Sequence, residues 1–131
     1  MKLTIIRLQH FSDRDRLDLA KIWPAVNCNM LEDNLDQAHR LYAAKFNDRL
    51  LAAVKVTVKD GEGEMHDFMV REVTRRRGVG KYLLEEVLAQ NNAIRKWRIA
   101  SNDFYTQEAA SAFMRSCGFE TLARGWEWRK D

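Results

Sequence analysis

Residues 73–88 read VTRRRGVGKYLLEEVL. Arg75, Arg76 and Arg77 run into Gly78-Val79-Gly80, and an apolar pattern of helical period begins at once. This combination suits an anion. A strand ending near Glu72, a glycine turn and a helix opening near Gly78 leave several backbone N–H groups facing outward. Those donors sit at the positive end of the helix dipole, where negative charge is stabilised. Glycine at 78 and 80 removes the Cβ atoms that would hold a pyrophosphate away from the backbone. Arg76, Arg77 or Lys81 can add direct charge. The stretch lacks the Lys-Ser/Thr ending of a P-loop and the third glycine of a dinucleotide fingerprint. A capped helix with a solvated basic turn is the plainer alternative.

Other residues that could do chemistry are sparse. Glu72 ends the strand beside the glycine loop and is placed to act as a general base, although a glutamate there is commonly solvated or paired with arginine. His66 lies in a strand run, and His10 and His39 have no evident partner in the sequence. Cys28 and Cys117 are too few for a disulfide framework or a zinc site.

Composition bounds the class. The chain has 131 residues, 46% hydrophobic and 31% charged, which is enough for one domain with its own core. A single domain over 1–131 is expected. No apolar run approaches the ~20 residues of a membrane span. The opening MKLTIIRL reads as a strand rather than a signal peptide, because Arg7 interrupts it and no small-residue cleavage site follows. A cytoplasmic protein is expected. Net charge is +3 with a pI near 9.0, a mild imbalance concentrated at Arg75–Arg77. Nucleic-acid binding would call for a basic face with stacking aromatics, so a small anion or an acidic patch on a partner fits better.

The elements that must position the loop follow from periodicity and punctuation. KLTIIRL (2–8) is a strand. FSDRDRLDLAKIW is a helix with Ser12 as cap, Asp13 and Asp15 in its first turn, and Pro24, the only proline, closing it. A short helix is placed over Met30–Ala38. HRLYAAKF and LLAAVKVTV form a hairpin about Asn47, Asp48 and Arg49, KDGEGE is a turn, and MHDFMVREV is a strand. Val79, Leu83 and Val87 stand at i, i+4, i+8 of the next helix, with Leu84 and Leu88 alongside. KWRIAS (96–101) is a strand, TQEAASAFMRSC (106–117) a helix ended by Gly118, and FETLARGWEWRK a strand pair broken near Gly125. Trp23, Phe68, Tyr82, Phe113 and Phe119 are expected in the core. Trp126 and Trp128 share a face that covers either the core or an interface. One mixed α/β domain results.

The spacing Arg75-x-x-Gly78-x-Gly80 resembles the R/Q-x-x-G-x-G/A signature of the GNAT acyltransferases, and AFMRSCGF (112–119) resembles their second motif. The resemblance implies an α+β fold with a mixed, mostly antiparallel sheet flanked by helices. It also implies central strands splayed between MHDFMVREV and KWRIAS. The cofactor would be acetyl-CoA or CoA. Its pantetheine arm would meet the backbone at Phe68, Met69 and Val70, and its pyrophosphate the loop formed by Thr74, Arg75, Arg76, Arg77, Gly78, Val79, Gly80 and Lys81. A catalysing member carries a tyrosine four residues before the glycine of the second motif, to protonate the departing thiolate. Met114 stands there and cannot donate a proton, so no catalytic residue is assigned and the cofactor is expected to act as a ligand.

FSDRDRLDLAKIWP, YAAKFNDRLLAAVKVTV, VREVTRRRGVGKYLLEEVL and the terminal GWE are similar to the PanZ/PanM family over nearly the whole chain. These are GNAT-like maturation and regulatory factors for aspartate α-decarboxylase. The resemblance implies an acetyl-CoA-dependent protein, monomeric when free, that docks on the decarboxylase precursor and promotes its self-cleavage to the pyruvoyl form. It further implies inhibition of the mature tetramer, which would couple β-alanine, pantothenate and CoA synthesis to the CoA pool. Lys45, Asn47, Arg71 and Arg75 would form the docking surface. Lys45 stands where arginine is expected, which turns a bidentate contact into a point charge. The alternative is an N-acetyltransferase acting on a small amine or a protein lysine. Neither nucleic acid nor membrane is an expected partner.

Overall fold

The computed structural model describes residues 3–47, 49–70, 79–100, 114–122 and 125–129. Strand β1 (Thr4–Leu8) leads into helix α1 (Asp13–Ile22). Ser12 and Asp15 form a reciprocal capping box, each side chain accepting the other's backbone N–H at 3.1 Å. The C-cap N–H of Trp23 donates to Leu19 O, and Pro24 prevents continuation. Helix α2 covers Cys28–Asp33, capped by Asn27, and is shorter than the expected Met30–Ala38. Asp36 is the reason. Its carboxylate accepts the N–H groups of Ala38 and His39 at 2.9 and 2.7 Å, a side-chain turn that competes with helix and delivers the chain to the next strand.

Strands β2 (His39–Phe46), β3 (Arg49–Lys59) and β4 (Glu62–Val70) form an antiparallel meander. The turn expected over KDGEGE is confined to Asp60 and Gly61, both at positive φ (53° and 78°). That two-residue geometry matches strand twist, so Glu62 to Glu64 already belong to β4. Helix α3 (Val79–Gln90) crosses to β5 (Lys96–Ala100), which pairs with β4 in parallel. Residues 114–116 are helical, and Gly118 closes that segment at φ 89°. Strands β6 (Glu120–Leu122) and β7 (Gly125–Arg129) complete a sheet of order β1-β2-β3-β4-β5-β7-β6 among the described residues.

Apolar side chains fill both faces of the sheet. On one, Val79, Leu83, Leu84 and Val87 of α3 pack with Tyr42, Val54, Met65, Phe68, Trp97, Met114, Phe119 and Trp126. On the other, Leu19 and Ile22 of α1 pack with Leu41, Ala43, Leu50 and Ala53. Trp126 is 1% exposed and the half-buried Trp128 packs beside it, so this pair serves the core. Tyr82 does not. It is 40% exposed, because it precedes Leu83 by one residue and lies about 100° round the helix, outside the buried stripe. Trp23 is only half-buried and caps the α1 side.

Candidate cofactor-binding site

The site is built on β4. Lys55 faces His66 and Ala53 faces Met69, so a single residue of β3, Val54, opposes Asp67 and Phe68 together. This is a β-bulge, and Asp67 within it adopts a left-handed conformation (φ 52°). The extra residue resets the alternation of faces. Met65, Phe68 and Val70 turn toward the α3 core, and Met69 turns toward the α1 side. Among the described residues the parallel ladder with β5 pairs Glu62 with Lys96 through Met65 with Ile99, and Phe68, Met69 and Val70 follow along β4. The expected pantetheine contacts are at this point.

Helix α3 begins beside them. Val79 and Gly80 are buried, and Val79 shares a core with Phe68 and Val70. Lys81 faces solvent with its ammonium 3.9 Å from Glu85, one turn on. Of the expected cofactor and docking residues, Arg71, Thr74, Arg75, Arg76, Arg77 and Gly78 lie outside the described residues, as does Glu72. The described part brings Phe68, Met69 and Val70 into one locality with Val79, Gly80 and Lys81. The N-terminal end of a helix beside a strand suits an anionic ligand.

The expected docking residues Lys45 and Asn47 sit together at the tip of the β2–β3 hairpin. Lys45 is half-buried at a register shift, and Asn47 is exposed at φ 51°. Asp18 anchors this tip. It is fully buried, its carboxylate accepts from Arg49 Nε at 3.0 and 3.1 Å and from Nη2 at 2.6 Å, and it takes the Leu50 N–H at 3.0 Å. The Asp18 bonds raise the Arg49 guanidinium above its ordinary value. Sequence reasoning missed Asp18. The available signal was that Asp15, Asp18, Leu19 and Ile22 form one helical stripe, with acids at two core-facing positions.

Two histidines meet carboxylates among the described residues. His66 lies 3.6 Å from Glu64, and both are partly exposed. His39, without an expected partner, meets Asp36 at 3.0 Å. Hydrogen bonds from the backbone and ring of His39 hold the Asp36 carboxyl below the usual carboxylate range. Met114 is fully buried in the α3-side core. No cluster of metal-ligating side chains occurs among the described residues.

Among the described residues, a seven-stranded mixed sheet with a parallel central pair and flanking helices defines a GNAT-type domain. The ribosomal-protein-S18-alanine N-acetyltransferase of Escherichia coli shares this fold at 17% identity, with a TM-score of 0.73 over 96% of this chain and 90% of that one. Within that class the chain belongs to the PanZ family, described as an acetyltransferase (GNAT) domain, whose profile matches residues 2–127. The PanD regulatory factor of Escherichia coli K12 is 53% identical over 127 residues, covering 97% of this chain and 98% of that protein. The solution NMR structure of the Escherichia coli protein YhhK bound to coenzyme A superposes with a TM-score of 0.87 at 52% identity, covering 99% of this chain and all of that one.

Proposed function

We propose that this chain is an acetyl-CoA- or CoA-dependent regulator of aspartate α-decarboxylase. In this reading it promotes self-cleavage of the precursor to the pyruvoyl form and restrains the mature tetramer. The observation that carries it is the end-to-end likeness to a PanD regulatory factor. The relative solved with coenzyme A supports the ligand. The packing of Phe68 and Val70 with Val79 supports a site there for that ligand's two ends. The pantetheine arm would run along the backbone of Phe68, Met69 and Val70. The loop over Thr74 to Lys81, with Arg75, Arg76, Arg77 and Gly78, would hold the phosphates. Bound there, the cofactor supplies negative charge and an acyl-thiol arm to the surface, not a reacting bond.

The docking surface would comprise Lys45, Asn47, Arg71 and Arg75, at the hairpin tip and beside the cofactor loop. A ligand promotes docking only by binding the docking-competent form more tightly, and the partner must then raise cofactor affinity by the same factor. We place the protein in the cytoplasm as a single domain that is monomeric when free. No helix among the described residues is long and apolar enough to cross a membrane.

The test mixes the protein with uncleaved decarboxylase precursor, with and without acetyl-CoA, and follows the two fragments on a gel. Cleavage should need both components, and Gly78→Trp should abolish it by filling the phosphate turn. No acceleration under either condition, together with release of free CoA in the presence of amines, would overturn the regulator in favour of an N-acetyltransferase.

A further inference from the structure

The cofactor residues expected on β4 all follow the bulge, so whatever fixes the bulge fixes them. Asp67 sits in the left-handed region, which Asp tolerates better than most residues but which still costs more than extended backbone, so local preference alone does not hold it there. If the bulge straightened into a regular ladder, the strand beyond it would slip by one residue and turn Phe68, Met69 and Val70 to the opposite faces. Two side chains from other elements oppose this. The indole N–H of Trp23, at the C-cap of α1, donates to the Asp67 carbonyl at 2.9 Å. The ammonium of Lys55, on β3 just before the mismatch, binds the Asp67 carboxylate at 3.0 Å. That ammonium also lies 4.9 Å from the centre of the Trp23 ring, so each tether steadies the other. An exposed ion pair alone contributes little. Here it is joined to a directed bond on the main chain of the residue whose conformation is in question.

We propose that Trp23 and Lys55 are positioning residues for the acyl-pantetheine arm of CoA, acting by holding the Asp67 bulge. This rests on the CoA-binding reading above. Neither residue need touch the cofactor, and neither belongs to the phosphate loop. Recognition of the phosphate end should therefore be indifferent to both.

Calorimetric titration with CoA and with adenosine 3′,5′-bisphosphate, which lacks the pantetheine arm, separates the two ends. Trp23→Phe keeps a ring under Lys55 and removes the donor. Its CoA Kd should rise about five-fold, the equivalent of one lost hydrogen bond, with the bisphosphate unchanged. Lys55→Met should act in the same direction and Lys55→Arg should restore affinity. Since the Lys55 side chain is 35% exposed, these two variants can be read even if Trp23→Phe fails to fold. Unchanged CoA affinity in folded Lys55→Met or Trp23→Phe overturns the proposal. So does an equal loss for both ligands, which marks general loosening. A wild-type protein that takes up neither ligand fails earlier and brings down the CoA-binding reading itself.

Discussion

Gly63 offers a sharp test of how the central strands are held together. It pairs with Trp97 across the parallel ladder, and the indole lies over the glycine. A Cβ added at Gly63 would stand 2.5, 2.6 and 2.9 Å from Cζ3, Cε3 and Cη2 of that ring. Ordinary carbon contact begins near ~3.5 Å, so the ring or the strand must shift by roughly 1 Å. Trp97 has nowhere to go: it is fully buried among core side chains. Overpacking of this kind costs about 1–3 kcal/mol. Stiffening the unfolded chain with alanine offsets about 0.4–1 kcal/mol. The steric term wins, and Gly63→Ala should be destabilised by about 1–2 kcal/mol, lowering Tm by about 3–10 °C. Urea unfolding followed by circular dichroism measures this, and tryptophan fluorescence reports the displaced ring. A Gly63→Ala protein as stable as wild type would refute the packing argument. Gly61→Ala serves as control: nothing lies within 4 Å of its added Cβ, but φ is 78°. Its cost is conformational, and Gly61→Asn should recover most of it, whereas Gly63→Asn should not.

Ser12→Ala removes half of a closed capping box and should lower stability by about 1 kcal/mol in the same urea assay. Glu127 is buried on β7, and its carboxyl is held below the ordinary value first by the hydrogen bond from Arg129, with Lys96 and Arg98 adding to the effect. A depressed carboxyl stabilises the fold above its unfolded pKa and loses that contribution as pH falls through the lower folded value. Glu127→Gln should therefore be less stable than wild type at pH 7, with the gap closing on titration below about pH 4.5. Burial raises the Cys117 thiol, whereas Cys28 is half-buried near the surface. Ellman's reagent should modify Cys28 in the native protein and reach Cys117 only after unfolding. Rapid reaction of both thiols would contradict the packing of residues 114–119.

Much of this fold was legible because its signals are local. The Ser12 cap, the Pro24 stop, the Val79–Leu83–Val87 stripe and the hairpin turns each decide a boundary within a few residues. The errors have a common cause. Asp36 ends α2 by bonding the backbone that follows it, and apolarity at Tyr82 suggested burial that its place round the helix denies. The pairing of Asp18 with Arg49 and the Trp23 tether on Asp67 span 31 and 44 residues of sequence. No window along the chain contains both ends of either contact. The bulge itself was also missed: the adjacent polar pair His66-Asp67 between Met65 and Phe68 breaks the alternation, but its meaning shows only when β3 is laid beside it. At the site, helix α3 was legible from its apolar stripe and β4 from its residue types, whereas the bulge within β4 needed tertiary structure.

The bulge at Asp67 also bears on synthesis. Strands β1 to β4 pair only with their neighbours in sequence, so the meander is complete once residue 70 has emerged. Strand β5 begins 26 residues later, at Lys96. At about 5–20 residues per second this interval lasts on the order of seconds, whereas hairpins close in microseconds. For that period β4 is an open edge, the kind of surface onto which a second nascent chain can add a strand. Its side chains answer the hazard: Glu62, Glu64, His66 and Asp67 place charge or polarity along it, and the kink at Asp67 breaks the straight run of donors and acceptors that a foreign strand would need. The irregularity proposed to present a strand to its ligand would then also keep unfinished copies of the protein apart.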